Sequence, residues 1–183
     1  METAMQQMPR TTENDLTRYI RTVENFPSPG ISFKDITPLL AEPEAFRELI
    51  ARLSHAVRTS GAQKIVGLES RGFIFGIAAA QALGLPFVPA RKAGKLPGET
   101  VGVPYALEYG KQSLELQRGS IRAEERVAIV DDVLATGGTA QAAAKLVEAL
   151  GGKVSGFFFA IELTSLSGRE KLRGAQVDAV LSY

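Results

Sequence analysis

Apolar residues recur along this chain in two rhythms. Spacings of three and four predict a helix over 13–23, carried by Leu16, Tyr19, Ile20 and Val23. The same spacing predicts a longer helix from Pro43 to Gly61, with Phe46, Leu49, Ile50, Leu53 and Val57 as its stripe. Two more helices follow, over 73–83 with Gly84 as its stop, and after Thr139 with Ala143, Leu146, Val147 and Leu150. Short continuous apolar runs predict buried strands at 64–68, 85–90, 127–130, 154–161 and 177–181. Residues 168–173 read as a short polar helical stretch. Val101 to Leu107 and Ser113 to Leu116 flank Glu108–Lys111 as a β-hairpin or mobile flap.

Between these elements the pattern breaks. Residues 1–12 read as a mobile tail. Two prolines and a glycine in Phe26-Pro-Ser-Pro-Gly30 oppose any regular element. Ile31 to Leu40 reads as a loop or short extended segment, unusually apolar for its position. Strand and helix alternate from Lys64 to Ile161, which predicts an α/β fold. The expected architecture is a parallel-centred sheet flanked by helices, with an N-terminal hood over 12–40 and a mobile flap over 99–117. No repeat or linker divides the chain, so a single domain over 1–183 is expected.

Composition narrows the function classes. A chain of 183 residues that is 45% hydrophobic and 22% charged can build a full core. A net charge of +1 provides no global field for nucleic acid or a membrane surface. There is no cysteine, which excludes disulfides, thiolate metal sites and cysteine nucleophiles. No run approaches the roughly 18 apolar residues of a membrane span, and the first residues lack the apolar core of a secretory signal. A cytoplasmic protein is expected.

The chemistry concentrates in Val127-Ala-Ile-Val-Asp131-Asp132-Val-Leu-Ala135-Thr136-Gly137-Gly138-Thr139. A buried strand, two acids at its expected end, a glycine turn and a helix start make an anion site. Asp131 and Asp132 suit either the vicinal hydroxyls of a ribose or a Mg²⁺ held through water. The Thr136 and Thr139 hydroxyls, with backbone N–H groups from Ala135 through Gly137 and Gly138 to Thr139, suit a phosphate. No Gly-Lys-Ser/Thr occurs, so this is not a triphosphate loop, and a sugar monophosphate fits better. Arg71, in Glu69-Ser-Arg-Gly72 after the strand at 64–68, is either a surface partner of Glu69 or an anion contact. Arg91, Lys92 and Lys95 form a cationic cluster in a Gly/Pro-rich loop. Ser70 lacks a Gly-x-Ser-x-Gly elbow, which argues against a serine hydrolase. His55, the only histidine, sits beside the apolar stripe of its helix and reads as structural.

The 127–139 stretch resembles the phosphoribosyl-pyrophosphate signature of the type I phosphoribosyltransferases. Phe26-Pro-Ser-Pro-Gly-Ile-Ser-Phe-Lys-Asp-Ile-Thr-Pro38, Glu69-Ser-Arg-Gly-Phe73, Arg91-Lys-Ala-Gly-Lys-Leu-Pro-Gly98, Leu107-Glu-Tyr-Gly110 and Glu162-Leu-Thr-Ser-Leu166 are similar, in order, to blocks of the members that use adenine. The resemblance implies conversion of adenine and phosphoribosyl pyrophosphate to AMP and pyrophosphate with Mg²⁺, in a homodimer. It implies that Arg71, Arg91, Lys92 and Lys95 contact pyrophosphate, with Arg91 reaching the neighbouring subunit's site. It makes Glu108 the general acid/base near purine N7, with Tyr109 closing over the site. Phe33 would stack on adenine, the backbone of Ser32 and Lys34 would read its edge, and Leu163, with Glu162, would line its pocket. Two alternatives stay open: another purine as acceptor, or a regulator that binds phosphoribosyl pyrophosphate without catalysis.

Overall fold

The computed structural model describes residues 16–107 and 110–183. The chain divides into two compact units, 1–47 and 48–183. The tail read at 1–12 lies outside the described residues, as do Glu108 and Tyr109.

In the first unit a 3-10 turn at Leu16–Tyr19 leads into strand β1, Arg21–Glu24, which pairs antiparallel with β2, Ser32–Asp35. The helix expected over 13–23 is therefore a turn and a strand from Leu16 onward. Cross-strand pairing overrides the helical spacing of Leu16, Tyr19, Ile20 and Val23. Arg21 meets Asp35 across the ladder at 2.6 Å, Lys34 donates to Thr22 at 2.9 Å, and Ser32 donates to Glu24 at 3.1 Å. The connecting turn is closed by the Gly30 N–H donating to the Asn25 side chain at 2.9 Å.

The stretch read as a loop or short extended segment at 31–40 contains the extended strand β2, followed by a short helix α1, Thr37–Ala41. Asp35 starts that helix, because its carboxylate accepts from the Thr37 N–H at 2.9 Å and hydroxyl at 2.8 Å. Those bonds, the N–H first and then the hydroxyl and Arg21, hold the Asp35 carboxyl below its usual range. Helix α2, Pro43–Thr59, starts on its proline and buries Leu49, Ile50, Leu53 and Val57, as the spacing predicts. His55 is exposed on that helix and is no part of its buried stripe.

The second unit holds one seven-stranded sheet. Its strands are β3 (Lys64–Leu68), β4 (Phe87–Lys92), β5 (Thr100–Leu107), β6 (Gly110–Gln117), β7 (Arg126–Leu134), β8 (Lys153–Glu162) and β9 (Val177–Ser182). The order is β5-β6-β4-β3-β7-β8-β9. Strands β4, β3, β7, β8 and β9 run parallel, and β5 and β6 form an antiparallel ribbon at one edge. Helix α3, Gly72–Leu83, connects β3 to β4, and α4, Gly138–Ala149, connects β7 to β8. From β3 the chain goes to one side and from β7 to the other, so right-handed crossovers put α3 and α4 on opposite faces. The order reverses between β3 and β7, and ligands of open α/β sheets sit at the carboxyl ends of strands at such a point.

The core follows from the sheet's burial. Val127, Ala128, Ile129 and Val130 of β7 are fully buried. Leu146 and Val147 of α4 pack with Phe157 and Phe159 of β8 in one apolar cluster. On the α3 side, Gly67 and Gly76 leave room for the Phe87 ring, since a Cβ at either would lie within 2.8 Å of it.

One buried ion pair lies at the opposite end of the sheet. The Lys64 ammonium donates to the Ser120 carbonyl at 2.7 Å and to Glu125 at 2.8 Å. Burial alone would raise the Glu125 carboxyl, but the Arg122 N–H and Lys64 hold it below its ordinary value. Its stabilisation is present above the ordinary value of 4.5 and is lost as pH falls through the depressed folded value. Lys64→Met is expected to cost about 3 kcal/mol, because it leaves a carboxylate buried without its partner. Urea titrations of both proteins across pH check this: the gap should be widest above pH 4.5 and shrink below it.

Candidate active site

Strand β7 does not end before the two acids. It runs on to Leu134, because β8 keeps pairing beside it through Asp131↔Phe159, Val133↔Ile161 and Leu134↔Glu162. The loop expected at Asp131 and Asp132 therefore begins only at Ala135. A sheet position holds both carboxyls on a rigid support at the switch point between β3 and β7.

Asp132 is buried and meets Arg71 in an ion pair, Nε to Oδ2, at 2.7 Å. Arg71 comes from the turn after β3, so the two central strands are joined through their end residues. Its expected bland partner, Glu69, is taken by other groups. Glu69 accepts from the Lys92 N–H at 2.7 Å and lies 3.4 Å from Arg91. Burial acts to raise the Glu69 carboxyl, but Lys92 N–H and Arg91 outweigh it and hold it below its usual range. Arg91 also donates to the Lys95 carbonyl at 3.1 Å. The Lys92 and Lys95 side chains are exposed.

Asp131 is pushed well above the ordinary carboxyl range. Burial is the main cause and the charge of Asp132 the next, with the Asp132 N–H and Arg71 pulling the other way. That N–H donates to Asp131 Oδ1 at 2.8 Å. Such a perturbed carboxyl, near the carboxyl end of a central strand, is a functional-site candidate. Gly72 packs directly against β7, where a Cβ would stand 2.6 Å from Asp131 Oδ1.

After Leu134 the chain turns at Gly137, which has φ +75° and is the residue before α4. No side chain caps that helix, so its first N–H groups remain available to an anion. Thr136 is exposed, and Ala135, Gly138 and Thr139 are half-buried along the same turn.

Tyr105 is a neighbour that the sequence reading missed. It is half-buried on β5, and its hydroxyl is pushed up by burial and then by the nearby charges of Glu69 and Asp131. Strand alternation was the available signal, because Val101, Val103 and Tyr105 share the face that packs on the core.

The residues read for base recognition lie in the first unit. Phe33 is half-buried and meets the Phe26 ring edge-on at 5.2 Å. Ser32 and Lys34 flank it on β2 with their side chains bonded to β1. In the second unit Leu163 is half-buried just beyond β8, and its N–H donates to the Leu134 carbonyl at 2.9 Å. Glu162, at the end of β8, is buried, and its carboxylate is held by Arg169 at 2.7 Å. Among the described residues no group of three or more His, Cys, Asp or Glu could hold a metal ion. Among them, too, no helix is long and apolar enough to cross a membrane.

Comparison with known proteins agrees with this geometry. The family model described as "Phosphoribosyl transferase domain" matches residues 35–173. An adenine phosphoribosyltransferase of Clostridium perfringens is 53% identical over 164 residues, which is 90% of this chain and 95% of that protein. The crystal structure of adenine phosphoribosyltransferase from Thermoanaerobacter pseudethanolicus has a TM-score of 0.91 at 46% identity, covering 94% of this chain and 100% of that one. The enzyme of Saccharomyces cerevisiae, solved with an imino-altritol bisphosphate and adenine, has a TM-score of 0.86 at 45% identity, covering 92% and 98%.

Proposed function

The chain belongs to the phosphoribosyl transferase family, and on that premise we propose that it is an adenine phosphoribosyltransferase of purine salvage. It transfers the phosphoribosyl group of phosphoribosyl pyrophosphate to adenine and releases AMP and pyrophosphate. One observation carries the reaction class: two acids on β7 and the uncapped start of α4 just beyond it stand at the switch point, with Arg71 paired to Asp132. Identity of 53% to an adenine enzyme supports the acceptor.

The bond from the anomeric carbon to pyrophosphate breaks with positive charge building on the sugar, as in glycoside chemistry. Adenine N9 supplies the electron pair for the new bond to that carbon, on the face opposite the leaving group. The proton on N7 passes to Glu108. Asp131 and Asp132 hold the ribose hydroxyls and keep the sugar still. Ala135, Thr136, Gly137, Gly138 and Thr139 receive the 5′-phosphate. Arg71, Arg91, Lys92 and Lys95 neutralise the leaving pyrophosphate. Phe33 stacks on adenine, Ser32 and Lys34 read its edge through their backbone, and Leu163 forms part of its wall. Tyr109 packs over the closed site.

Mg²⁺ belongs to the same proposal. Two adjacent carboxyls, one of them pushed above its ordinary range by burial and its neighbour's charge, suit a cation nearby. With no larger acidic group among the described residues, the donors fit a cation carried by the substrate and touched through water. Bound there, it would neutralise pyrophosphate charge. A homodimer is supported by the exposed Ile74 and Ile77 on α3. Arg91, which faces its own Glu69 here, would then also reach toward the neighbouring subunit's site. Cytoplasmic action follows from a substrate too highly charged to cross membranes.

The test is a spectrophotometric assay of adenine, hypoxanthine, guanine and xanthine, each with phosphoribosyl pyrophosphate and Mg²⁺. AMP from adenine alone is the expected result. Turnover of another base alone would reassign the acceptor, and no turnover with any base would point to a regulator. Glu108→Ala is expected to lower kcat by about 10²–10⁴-fold with little change in the KM for adenine. An unchanged kcat would remove Glu108 from the reaction.

A further inference from the structure

The segment after β8 does more than connect it to β9. It turns at Ser167, a non-glycine residue with φ +51°, and starts a 3-10 turn at Gly168–Leu172. Gly168 is buried against the back of the 135–137 loop. A Cβ on Gly168 would stand 2.2 Å from the Ala135 carbonyl oxygen and 2.9 Å from Leu134 Cδ1. The contact is reciprocal, since a Cβ on Gly137 would stand 2.5 Å from the Gly168 carbonyl oxygen. Two glycine backbones therefore touch at a spacing that no side chain on either could enter. Further along, the Gln141 side chain of α4 donates to the Lys171 carbonyl at 3.3 Å.

The support is itself anchored. Arg169, the residue after Gly168, donates from Nε to Glu162 at 2.7 Å and from Nη2 to the same carboxylate at 2.7 Å. Its third group, Nη1, donates to the Val177 carbonyl at 2.6 Å. Glu162 is buried at the end of β8. A bidentate pair of this kind fixes direction as well as distance. It ties the 167–169 backbone to two sheet strands.

We propose that Gly168, clamped through Arg169 and Glu162, is a positioning residue for the 5′-phosphate loop. The inference rests on the function proposed above, in which 135–139 receives that phosphate. A loop that presents N–H groups to an anion must not relax away from it, and glycines at 137 and 138 give it little stiffness of its own. The backbone of Gly168 supplies that stiffness from behind. Gly168 touches no substrate.

The test uses ribose 5-phosphate as the probe, with calorimetric binding to wild type, Gly168→Ala and Gly174→Ala. Gly174 has a positive φ, of +86°, and nothing lies within 4 Å of its Cβ position, so alanine there brings backbone strain without touching the loop. Gly168→Ala should weaken ribose 5-phosphate binding on the order of tenfold to a hundredfold, as expected when a loop is pushed from its place. The KM for phosphoribosyl pyrophosphate should rise in step, while the KM for adenine stays as in wild type. Gly174→Ala should change neither. Should Gly168→Ala not fold, Arg169→Gln carries the same test, with the same split between the two substrates. Unaltered ribose 5-phosphate affinity in the folded variant, an equal loss for adenine, or the same loss in Gly174→Ala overturns the positioning role. Wild-type protein that forms no AMP overturns the function itself, and so separates the two failures.

Discussion

Asp131→Asn is expected to make the protein more stable and nearly inactive. Asp131 carries a carboxyl that the fold strains to keep ionised, through burial first and the charge of Asp132 second. Asparagine keeps the Oδ1 that accepts the Asp132 N–H at 2.8 Å. It removes the buried charge and the repulsion. A gain of about 1–2 kcal/mol is the usual size when a strained site is relieved. That raises the melting temperature by roughly 2–8 °C in a chain of this length. The pH dependence has a definite sign. A carboxyl whose folded pKa is raised above 3.8 destabilises the fold once pH exceeds that ordinary value, with the full penalty above the raised one. The gap between the two proteins should therefore be widest at high pH and close as pH falls through the raised value. Turnover should fall by about 10²–10³-fold, the usual cost of losing a group aimed at the reacting sugar. Thermal melts across pH, read beside kcat, check both halves. A less stable variant would show that the charge is not strained. Unchanged turnover would show that Asp131 does not hold the ribose.

Gly72→Ala should damage both stability and activity. Its Cβ would stand 2.6 Å from Asp131 Oδ1 and 3.0 Å from both the Asp131 Cα and the Val130 carbonyl oxygen. Two of these are backbone atoms in the centre of the sheet and cannot swing aside. The first turn of α3 must lift off β7, at about 1–3 kcal/mol for an overpacked contact. Arg71 precedes that turn and moves with it, away from Asp132. A misplacement of about 1 Å at such a constellation can cost 10²-fold in turnover. Gly84→Ala is the control. It has φ +66° with nothing within 4 Å, so it brings strain without a collision. Urea midpoints and kcat/KM for the pair of variants separate the effects. Full activity in Gly72→Ala would mean that α3 and β7 are not held in the register that places Arg71 on Asp132.

How much of this was legible in the chain varied with the range of the interactions involved. The strand at Lys64–Leu68 and the helix stripes of α2 and α4 were read correctly, since local periodicity records which face is buried. The β1 half of the hairpin falls in the stretch expected to be helical, since its ladder joins Arg21 to Asp35 across fourteen positions. The acids were placed one step too far out, because only the pairing with β8 carries β7 past them to Leu134. Arg71 stands out in the sequence, but the only protein partner its spacing suggests is Glu69, and the pairing of β3 with β7 is what brings it to Asp132.

From sequence alone came the alternation of strands and helices, the acid pair and the glycine turn that follows it. These depend on residue type and near-neighbour spacing, which the chain carries locally. Tertiary structure alone decided the full strand order and that it reverses between β3 and β7. It decided that Arg71 reaches Asp132 while Arg91 takes Glu69, and that Gly168 presses on the loop around Gly137. Each of these is a choice among several chemically equal partners. The choice is made by which segments the packed sheet brings within a few ångströms, and no local pattern records it.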